Sequence, residues 1–400
     1  MEDHGSAPRN DLSLTRVLAA LLLSLALVAC APQPQRAPPK APVPVVPTSP
    51  YERASWSQLP GWQSDALHEA WPAMLASCRA LRFRAEWSVP CTAAQGVTGA
   101  TADEVRRFFG QYFEPYQVVK YNGTVREDTG LVTGYYEPQL LGARTPSAQF
   151  HTPLYAPPPD LLTIDLASVY PELKGLRLRG RLEGNRVVPY YSRAELANNP
   201  AVRGREIVWV DNALDAFMLQ VQGSGRVLLT TGEVIRLQYM DQNGHPYRSI
   251  GRYLVDNGFL TTEQATMPGI RAWLASHPDK LQEVLNANPS VVFFREEPIT
   301  DPAQGPKGAQ GIPLTPGRSI AVDPAFVPLG TPVFLATTFP ASTQPLERLV
   351  IAQDTGGAIK GAARADLFWG TGIGAGELAG KMRQPCRMWI LWPRNVPLPR

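Results

Sequence analysis

Two aspartates in a glycine-rich stretch near the C-terminus are the first candidates for chemistry. Asp354 and Asp366 stand twelve positions apart within Ala352–Gly376, which also contains seven glycines. Glycines allow tight turns and the close approach of a ligand to the backbone. Asp366 has apolar neighbours, and burial would raise its pKa and keep it protonated near neutral pH, as a general acid requires. Phe368 and Trp369 offer flat faces on which a sugar ring can stack.

Three hypotheses from different classes of protein are weighed for this chain. Asp-Thr-Gly occurs twice, beginning at Asp128 and Asp354, and an aspartic peptidase holds two such aspartates face to face. However, polar Glu127 and Gln353 precede them where an apolar strand is expected, and neither glycine is followed by Ser or Thr. An aspartate before Thr-Gly-Gly is also typical of an ordinary turn. The second hypothesis is a glycan-cleaving enzyme, which also uses carboxylates. The third is a non-catalytic wall-binding lipoprotein, which would explain the N-terminal features described next but not the two-aspartate stretch.

The first thirty residues are typical of a bacterial lipoprotein signal peptide. Arg9 and Arg16 precede an apolar run, Val17–Ala29, that is too short to span a bilayer as a helix. The sequence LVAC resembles a lipobox, in which the signal is cut before Cys30 and that cysteine is lipidated; a simple export signal is the alternative. Because Ala31 rather than Asp follows, we expect a lipid anchor on the periplasmic side of the outer membrane.

Residues 31–50 form a proline-rich tether with eight prolines. At about 3.1 Å per residue, such a segment could hold a domain about 60 Å from its anchor. About 350 residues remain, enough for two domains. The 40 prolines and 33 glycines favour short strands and turns over a helical bundle. The net charge is only +3 and no basic run occurs, so we expect no nucleic-acid partner.

The cysteines and histidines point to export rather than to metal chemistry. Cys78 and Cys91 are thirteen residues apart and could pair in an oxidising periplasm. Cys386 would then be left free and buried. The five histidines show no spacing typical of metal ligands, so we expect no metal and no cofactor.

Local patterns place further candidates on strands and helices. The run TGYYEP predicts a strand on which Tyr135 and Tyr136 point to opposite faces. Asp211 is expected to cap a helix that Gly223 and Gly225 end.

Five motifs together resemble the MltA family, the membrane-bound lytic murein transglycosylases A, over nearly all of residues 100–393. The motifs are TGYYEP (133–138), WVDNALDAFMLQVQGSGRV (209–227), NPSVVFFRE (288–296), SIAVDPAFVPLGTPVFL (319–335) and AQDTGGAIKGAARADLFWG (352–370). The last two also resemble the three-aspartate domain, whose aspartates correspond to Asp323, Asp354 and Asp366.

The resemblance implies a mainly β fold with short helices and a groove between two domains. One is a double-psi β-barrel, expected at residues 51–139 and 291–400; the other is a smaller inserted β-barrel at 140–290. The implied activity is that of a peptidoglycan lytic transglycosylase, a carbon–oxygen lyase that cleaves the β-1,4 bond between N-acetylmuramic acid and N-acetylglucosamine. It leaves a 1,6-anhydro ring on the muramic acid. We expect an exolytic enzyme, with attack within strands left open, and a monomer whose partners are glycan strands, the lipid anchor and cell-wall synthesis proteins.

The resemblance also implies roles for individual residues. Asp366 corresponds to the family's catalytic aspartate, which acts as an acid towards the leaving oxygen and then as a base towards the C6 hydroxyl. Asp354 would orient it and help to keep it protonated, while Asp323 would support the turn that follows it. Sugar contacts are expected from a set of groove residues: Tyr136, Gln220, Gln222, Ser224, Gly225, Gly356 and Trp369.

Overall fold

The computed structural model describes residues 49–122 and 124–399. The signal peptide, Cys30 and all but the last two residues of the predicted tether lie outside the described residues. Within those ranges, no helix is long and apolar enough to cross a membrane.

Most of the described chain is short strands, with helices between them. The strands are β1 (Tyr51–Arg53), β2 (Phe113–Val118), β3 (Lys120–Asn122), β4 (Val125–Glu127), β5 (Gly130–Glu137), β6 (Gln139–Ala143), β7 (Thr152–Tyr155), β8 (Leu162–Thr163), β9 (Arg179–Glu183), β10 (Arg186–Pro189), β11 (Glu206–Val210), β12 (Ser224–Leu229), β13 (Val234–Gln242), β14 (Val292–Glu297), β15 (Ser319–Val322), β16 (Pro332–Thr338), β17 (Pro345–Asp354), β18 (Arg364–Thr371) and β19 (Arg383–Pro393). The α-helices are α1 (Trp71–Ala80), α2 (Ser88–Gln95), α3 (Ala102–Tyr112), α4 (Arg193–Leu196), α5 (Ala213–Gln222), α6 (Ile250–Asp256), α7 (Met267–Ser276), α8 (Leu281–Asn286) and α9 (Ile373–Lys381).

The first sheet closes into a barrel. Its order is β1-β2-β19-β16-β17-β15-β18-β5, and a further pairing of β19 with β5 closes the last six strands into a ring. β5 runs parallel to β18, and β15 runs parallel to β17. Its strands contribute to a large apolar core that includes Phe334 and Trp389. The expected mainly β fold is therefore present, and this sheet forms a closed six-stranded barrel.

A second sheet of six strands, in the order β14-β13-β12-β6-β11-β7, forms the inserted part of the chain. The chain passes from the first sheet to the second at Pro138, between β5 and β6. β14, which the predicted bounds assign to the first domain, pairs with β13 in the second sheet. The domain bounds are otherwise still a prediction.

Helix α5 is buried on two sides. Ala216 and Leu219 pack on the second sheet, whereas Leu214 and Phe217 pack against α6, α7 and α8. Its N-cap is Asn212, whose side chain accepts hydrogen bonds from two backbone N–H groups, so the prediction that Asp211 caps the helix was wrong by one residue.

The C-terminal end of α5 was partly predicted. Gly223 ends the helix with φ of 80°, a conformation that glycine adopts without strain. Gly225 lies inside β12 instead, so it does not belong to the helix end.

A disulfide joins two of the helices that cover the first barrel. Cys78 of α1 is bonded to Cys91 of α2, with their Cα atoms 5.3 Å apart. Cys386 is buried in β19 and free. The pairing that spacing suggested is therefore present, together with the single leftover thiol.

Candidate active site

Four neighbouring strands bring the two aspartates into one row. Across β17, β15, β18 and β5, the residues in register are Asp354, Ala321, Asp366 and Thr133. Side chains directly opposite each other on paired strands share a face of the sheet. Strands lie about 4.8 Å apart, so the two aspartate backbones are about 10 Å apart across the small side chain of Ala321.

Asp366 has one oxygen held and one free. Its Oδ1 accepts a 2.6 Å hydrogen bond from the hydroxyl of Thr133, which itself accepts one of 3.0 Å from Arg364. Its Oδ2 has no hydrogen-bond partner among the described residues and is not sealed from solvent. The pKa of Asp366 is raised to about 6, chiefly by burial; the hydrogen bond from Thr133 and the charge of Arg364 oppose this shift, and the charge of Asp354 adds to it.

Asp354 is held by three donors. Oδ1 accepts from the backbone N–H groups of Ala309 and Thr355, both at 2.8 Å, and Oδ2 accepts from the hydroxyl of Tyr135 at 3.0 Å. Burial raises its pKa, and these three hydrogen bonds work in the opposite direction. Because both carboxylate oxygens of Asp354 accept hydrogen bonds from the protein, these bonds hold the side chain in position near Asp366. This arrangement favours a positioning role over proton exchange with a ligand.

Apolar side chains support this face of the sheet. Tyr135 and Phe368 lie with their ring centres 5.3 Å apart and form a small cluster with Ala321, Leu314 and Ile359. Packing of this kind fixes the position of the Tyr135 hydroxyl, and therefore of Asp354, before any ligand arrives.

Gly356 makes room for that cluster. A Cβ at this glycine would lie 2.7 Å from Cγ1 of Ile359, closer than any real contact. The predicted role of Gly356 in binding sugars stays a prediction, and its observed role is to let the loop after Asp354 fold against the sheet.

Asp323 is placed where it can hold the loops around the site. It is 8% exposed and follows β15 directly. Its Oδ1 accepts from the N–H of Ala325 at 3.2 Å, and its Oδ2 accepts from that of Gly361 at 2.9 Å. These contacts fit the supporting role predicted for it.

Three of the predicted sugar-binding residues surround the junction between the two sheets. The backbone N–H of Tyr136 donates to Oε1 of Gln222 at 3.1 Å, which joins β5 to the end of α5. Gln220, two residues earlier, accepts from Arg193 at 2.7 Å. Tyr136 and Tyr135 point to opposite faces of β5, as predicted: the ring of Tyr136 packs over Gly376, away from Asp354.

Three other predicted binding residues are engaged in packing. Ser224 is 5% exposed, and a Cβ at Gly225 would lie 2.3 Å from Cδ1 of Leu219. Trp369 lies on the opposite face of β18 from Asp366, where it packs at Gly134. The structure therefore does not bring Trp369 to the aspartates, because strand alternation turns it away from them.

Sequence reasoning missed Thr133 and Tyr135, which donate hydrogen bonds to the aspartates, and Arg364, which donates to Thr133. The residue spacing contained a signal for them. Thr133 and Tyr135 are two positions apart on β5, and Arg364 and Asp366 are two positions apart on β18. Alternation puts each such pair on one face. Nothing in the sequence, however, shows that β5 pairs with β18, over 200 residues away.

Comparison with known proteins decides the family. Residues 131–295 match the MltA specific insert domain, and residues 318–392 match the 3D domain. The chain is 30% identical over 292 residues to the membrane-bound lytic murein transglycosylase A of Vibrio cholerae, covering 70% of each chain. The chain belongs to the MltA family.

Another relative is the MltA of Escherichia coli strain K12, which is 32% identical over 266 residues. That match covers 65% of this chain and 64% of the relative, slightly less than two thirds of its length. Both relatives bear the name membrane-bound lytic murein transglycosylase A.

Solved MltA structures share the fold. MltA from Neisseria gonorrhoeae superimposes with a TM-score of 0.74 at 35% identity, covering 87% of this chain and 93% of the other. E. coli MltA with bound chitohexaose superimposes with a TM-score of 0.63 at 26% identity, covering 86% and 95%. The architecture around Asp354 and Asp366 is therefore that of the MltA fold.

Proposed function

We propose that this chain is a peptidoglycan lytic transglycosylase that cleaves the β-1,4 bond between N-acetylmuramic acid and N-acetylglucosamine and forms a 1,6-anhydro ring. Family membership and the names of the relatives support the reaction class. The assignment of roles rests on one contrast: Asp366 accepts a hydrogen bond at only one carboxylate oxygen, whereas both oxygens of Asp354 accept hydrogen bonds.

Asp366 acts first as a general acid. In its protonated form, the free Oδ2 donates a proton to the glycosidic oxygen as the bond to the anomeric carbon breaks. The carboxylate that remains then accepts the proton of the C6 hydroxyl, whose oxygen bonds to the anomeric carbon and closes the ring. One proton is given and one is taken, so the residue ends as it began and no water enters the products.

Asp354 has a different part in this scheme. It keeps a carboxylate near Asp366 and thereby favours the protonated form of Asp366. Its three hydrogen bonds prevent it from turning towards the sugar. A hydrolytic pair would instead need a second carboxylate free to activate water.

Turnover of purified sacculi by single variants tests these roles. We expect Asp366→Asn to remain folded and to lose at least about 10³-fold in kcat, at the upper end of the range for general acid–base catalysis. Asp354→Asn should lose less, and Asp256→Asn, which removes an exposed ion pair on α6, serves as the control. A greater loss with Asp354→Asn would exchange the two roles.

We also propose that the protein is anchored by a lipid on Cys30 at the periplasmic side of the outer membrane. The lipobox-like sequence supports the anchor, and a disulfide fits an oxidising compartment. Cys30→Ser should abolish labelling by a fatty acid and release the protein from membranes. If the variant stays membrane-bound and labelled, the anchor lies elsewhere.

A further inference from the structure

The guanidinium group of Arg193, on α4 in the inserted part of the chain, is hydrogen-bonded only to neutral groups within the described residues. Nε donates to the carbonyl of Asn288 at 3.1 Å, and Nη2 donates to the carbonyl of Ser290 at 2.5 Å. Nη2 also donates to Oε1 of Gln220 at 2.7 Å. The guanidinium carbon lies 4.8 Å from the ring centre of Phe217. These contacts fix the guanidinium group in one orientation.

The charge of Arg193 has no partner of opposite sign. Two other buried arginines, Arg226 and Arg236, are neutralised by the carboxylate of Glu137. By contrast, no carboxylate in the described part of the chain lies within 4.0 Å of the Arg193 guanidinium. Glu195 is engaged by the N–H and hydroxyl of the residue before Arg193. Burial lowers the pKa of Arg193 to about 10, which still leaves it charged at neutral pH. An unpaired charge in such a place is costly for the fold.

One end of this guanidinium is open. Nη1 has no hydrogen-bond partner within residues 49–122 and 124–399 and is not sealed from solvent. It lies beside Gln220, two residues before Gln222, which bonds to the backbone of Tyr136 at the junction of the two sheets. A rigid, charged donor therefore lies next to the residues expected to bind the glycan.

The backbone of a second arginine, Arg248, lies beside the same asparagine, Asn288. The backbone N–H of Arg248 donates to Oδ1 of Asn288 at 3.1 Å, and Asn288 also receives Nε of Arg193. The Arg248 side chain is exposed and forms no ion pair within the described ranges. Guanidinium groups bind carboxylates through charge-assisted, often bidentate hydrogen bonds.

We propose that Arg193, with Gln220 held beside it, binds a carboxylate carried by the murein strand. This inference rests on the proposed function. Two sources carry that chemistry: the free lactyl carboxylate of muramic acid on strands without peptides, and the carboxylates of the stem peptide on strands that keep them. A strand of N-acetylglucosamine alone has neither group and gives the guanidinium no charge to bind.

Binding to the catalytically inactive Asp366→Asn form of the full-length protein in detergent tests the proposal. Titration calorimetry would compare peptide-bearing strands, peptide-free strands and chitooligosaccharides of equal length. Adding Arg193→Gln should weaken binding of at least one carboxylate-bearing strand by about tenfold or more and change chitooligosaccharide binding by less than about twofold. Loss confined to peptide-bearing strands assigns the peptide as the source, and loss on peptide-free strands assigns the lactyl group.

Arg252→Gln in the same background is the matched control, because Arg252 forms an exposed ion pair with Asp256. Equal weakening for all three ligands, or no weakening for any, would overturn the proposal. If Arg193→Gln does not fold, Arg193→Lys, which keeps the charge but loses the fork, replaces it and should weaken carboxylate-bearing strands selectively. If wild-type protein cleaves no murein strand, the proposed function fails instead, which is a separate result.

Discussion

The two aspartates differ in what their oxygens already bind. Asp354 receives three hydrogen bonds, and Asp366 receives one. A group that passes protons needs an oxygen that a ligand can engage, and among the four oxygens only Oδ2 of Asp366 has no hydrogen-bond partner in the described residues. Its raised pKa of about 6 is close to the value at which a carboxylate can both give and take a proton near neutral pH.

A substitution of Thr133 tests directly how the pKa of Asp366 is set. Its hydrogen bond favours the ionised form of Asp366, so Thr133→Val should raise the pKa of Asp366 above about 6. The activity kcat/KM requires the protonated acid and falls as pH rises through that pKa, so the falling limb should move to higher pH. Thr337→Val, which removes an exposed hydroxyl contact on β16, is the control. An unmoved limb would show that Asp366 is not the group that titrates.

The stability of the protein should also report on Asp366. Its pKa is about 6 in the folded state against 3.8 for the free side chain, so the folded state holds this proton more tightly. The resulting stability is complete below pH 3.8 and is lost as pH rises through about 6. Asp366→Asn should therefore raise the free energy of unfolding at pH 7.5 by about 1–2 kcal/mol, a value reduced for the partial exposure of the side chain.

Thermal unfolding at two pH values checks this prediction. The melting temperature of Asp366→Asn should exceed that of the wild type at pH 7.5 and approach it at pH 4. A variant that is less stable at pH 7.5 would mean that the ionised carboxylate stabilises the fold.

At the scale of strands and helices, the junction between the two sheets depends on one buried carboxylate. Glu137 ends β5 and is fully buried, with Nε of Arg226 at 2.8 Å and Nε of Arg236 at 2.6 Å. Thr371 of β18 also donates to it at 2.9 Å. Both arginines donate onward to the carbonyl of Gln304 in the loop before β15. These contacts link β5 and β18, which carry the site, to β12 and β13 of the second sheet.

We expect Glu137→Gln to destabilise the protein by about 3–5 kcal/mol, because it leaves two buried guanidinium groups without a counter-charge. Denaturant unfolding measures this loss. Glu127→Gln, which removes an exposed ion pair with Lys120, should cost less than about 1 kcal/mol. A cost for Glu137→Gln no larger than that of the control would show that the junction does not depend on this charge.

Local sequence predicted some of these elements and missed others. The glycine stop at Gly223 acts within a few residues, so it could be predicted from the local sequence. Helix α9 was missed, since the glycines around it favoured turns, and it begins after Gly372 with φ of 84°. Trp369 lies on the other face of its strand from Asp366, and its predicted contact with sugar stays a prediction.

At the scale of the whole molecule, strand pairing between distant segments creates the site. Thr133 and Asp366 are 233 residues apart, and Tyr135 and Asp354 are 219 apart. Periodicity alone could not predict these contacts, because it gives the face of a strand and not its neighbour. The resemblance to the MltA family predicted a β-barrel and proposed Asp366 as the catalytic residue, but it did not predict the hydrogen bonds that distinguish Asp366 from Asp354.

The disulfide should contribute to global stability. Closing a loop of about 15 residues removes about 3 kcal/mol of unfolded-state entropy in the chain-entropy account. The double variant Cys78→Ser/Cys91→Ser should therefore unfold at lower denaturant concentration, with a loss of about 2–4 kcal/mol. Reductant should lower the midpoint of the wild type and leave the double variant unchanged. A wild-type midpoint insensitive to full reduction would contradict this contribution.

The reaction itself is tested most directly by the mass of its products. Muropeptides released from purified sacculi by the form lacking residues 1–30 would be analysed by mass spectrometry, with Asp366→Asn alongside. We predict products lighter than the hydrolytic ones by one water, absent with the variant. Products that carry the full water would contradict the account and make Asp354 and Asp366 a hydrolytic pair.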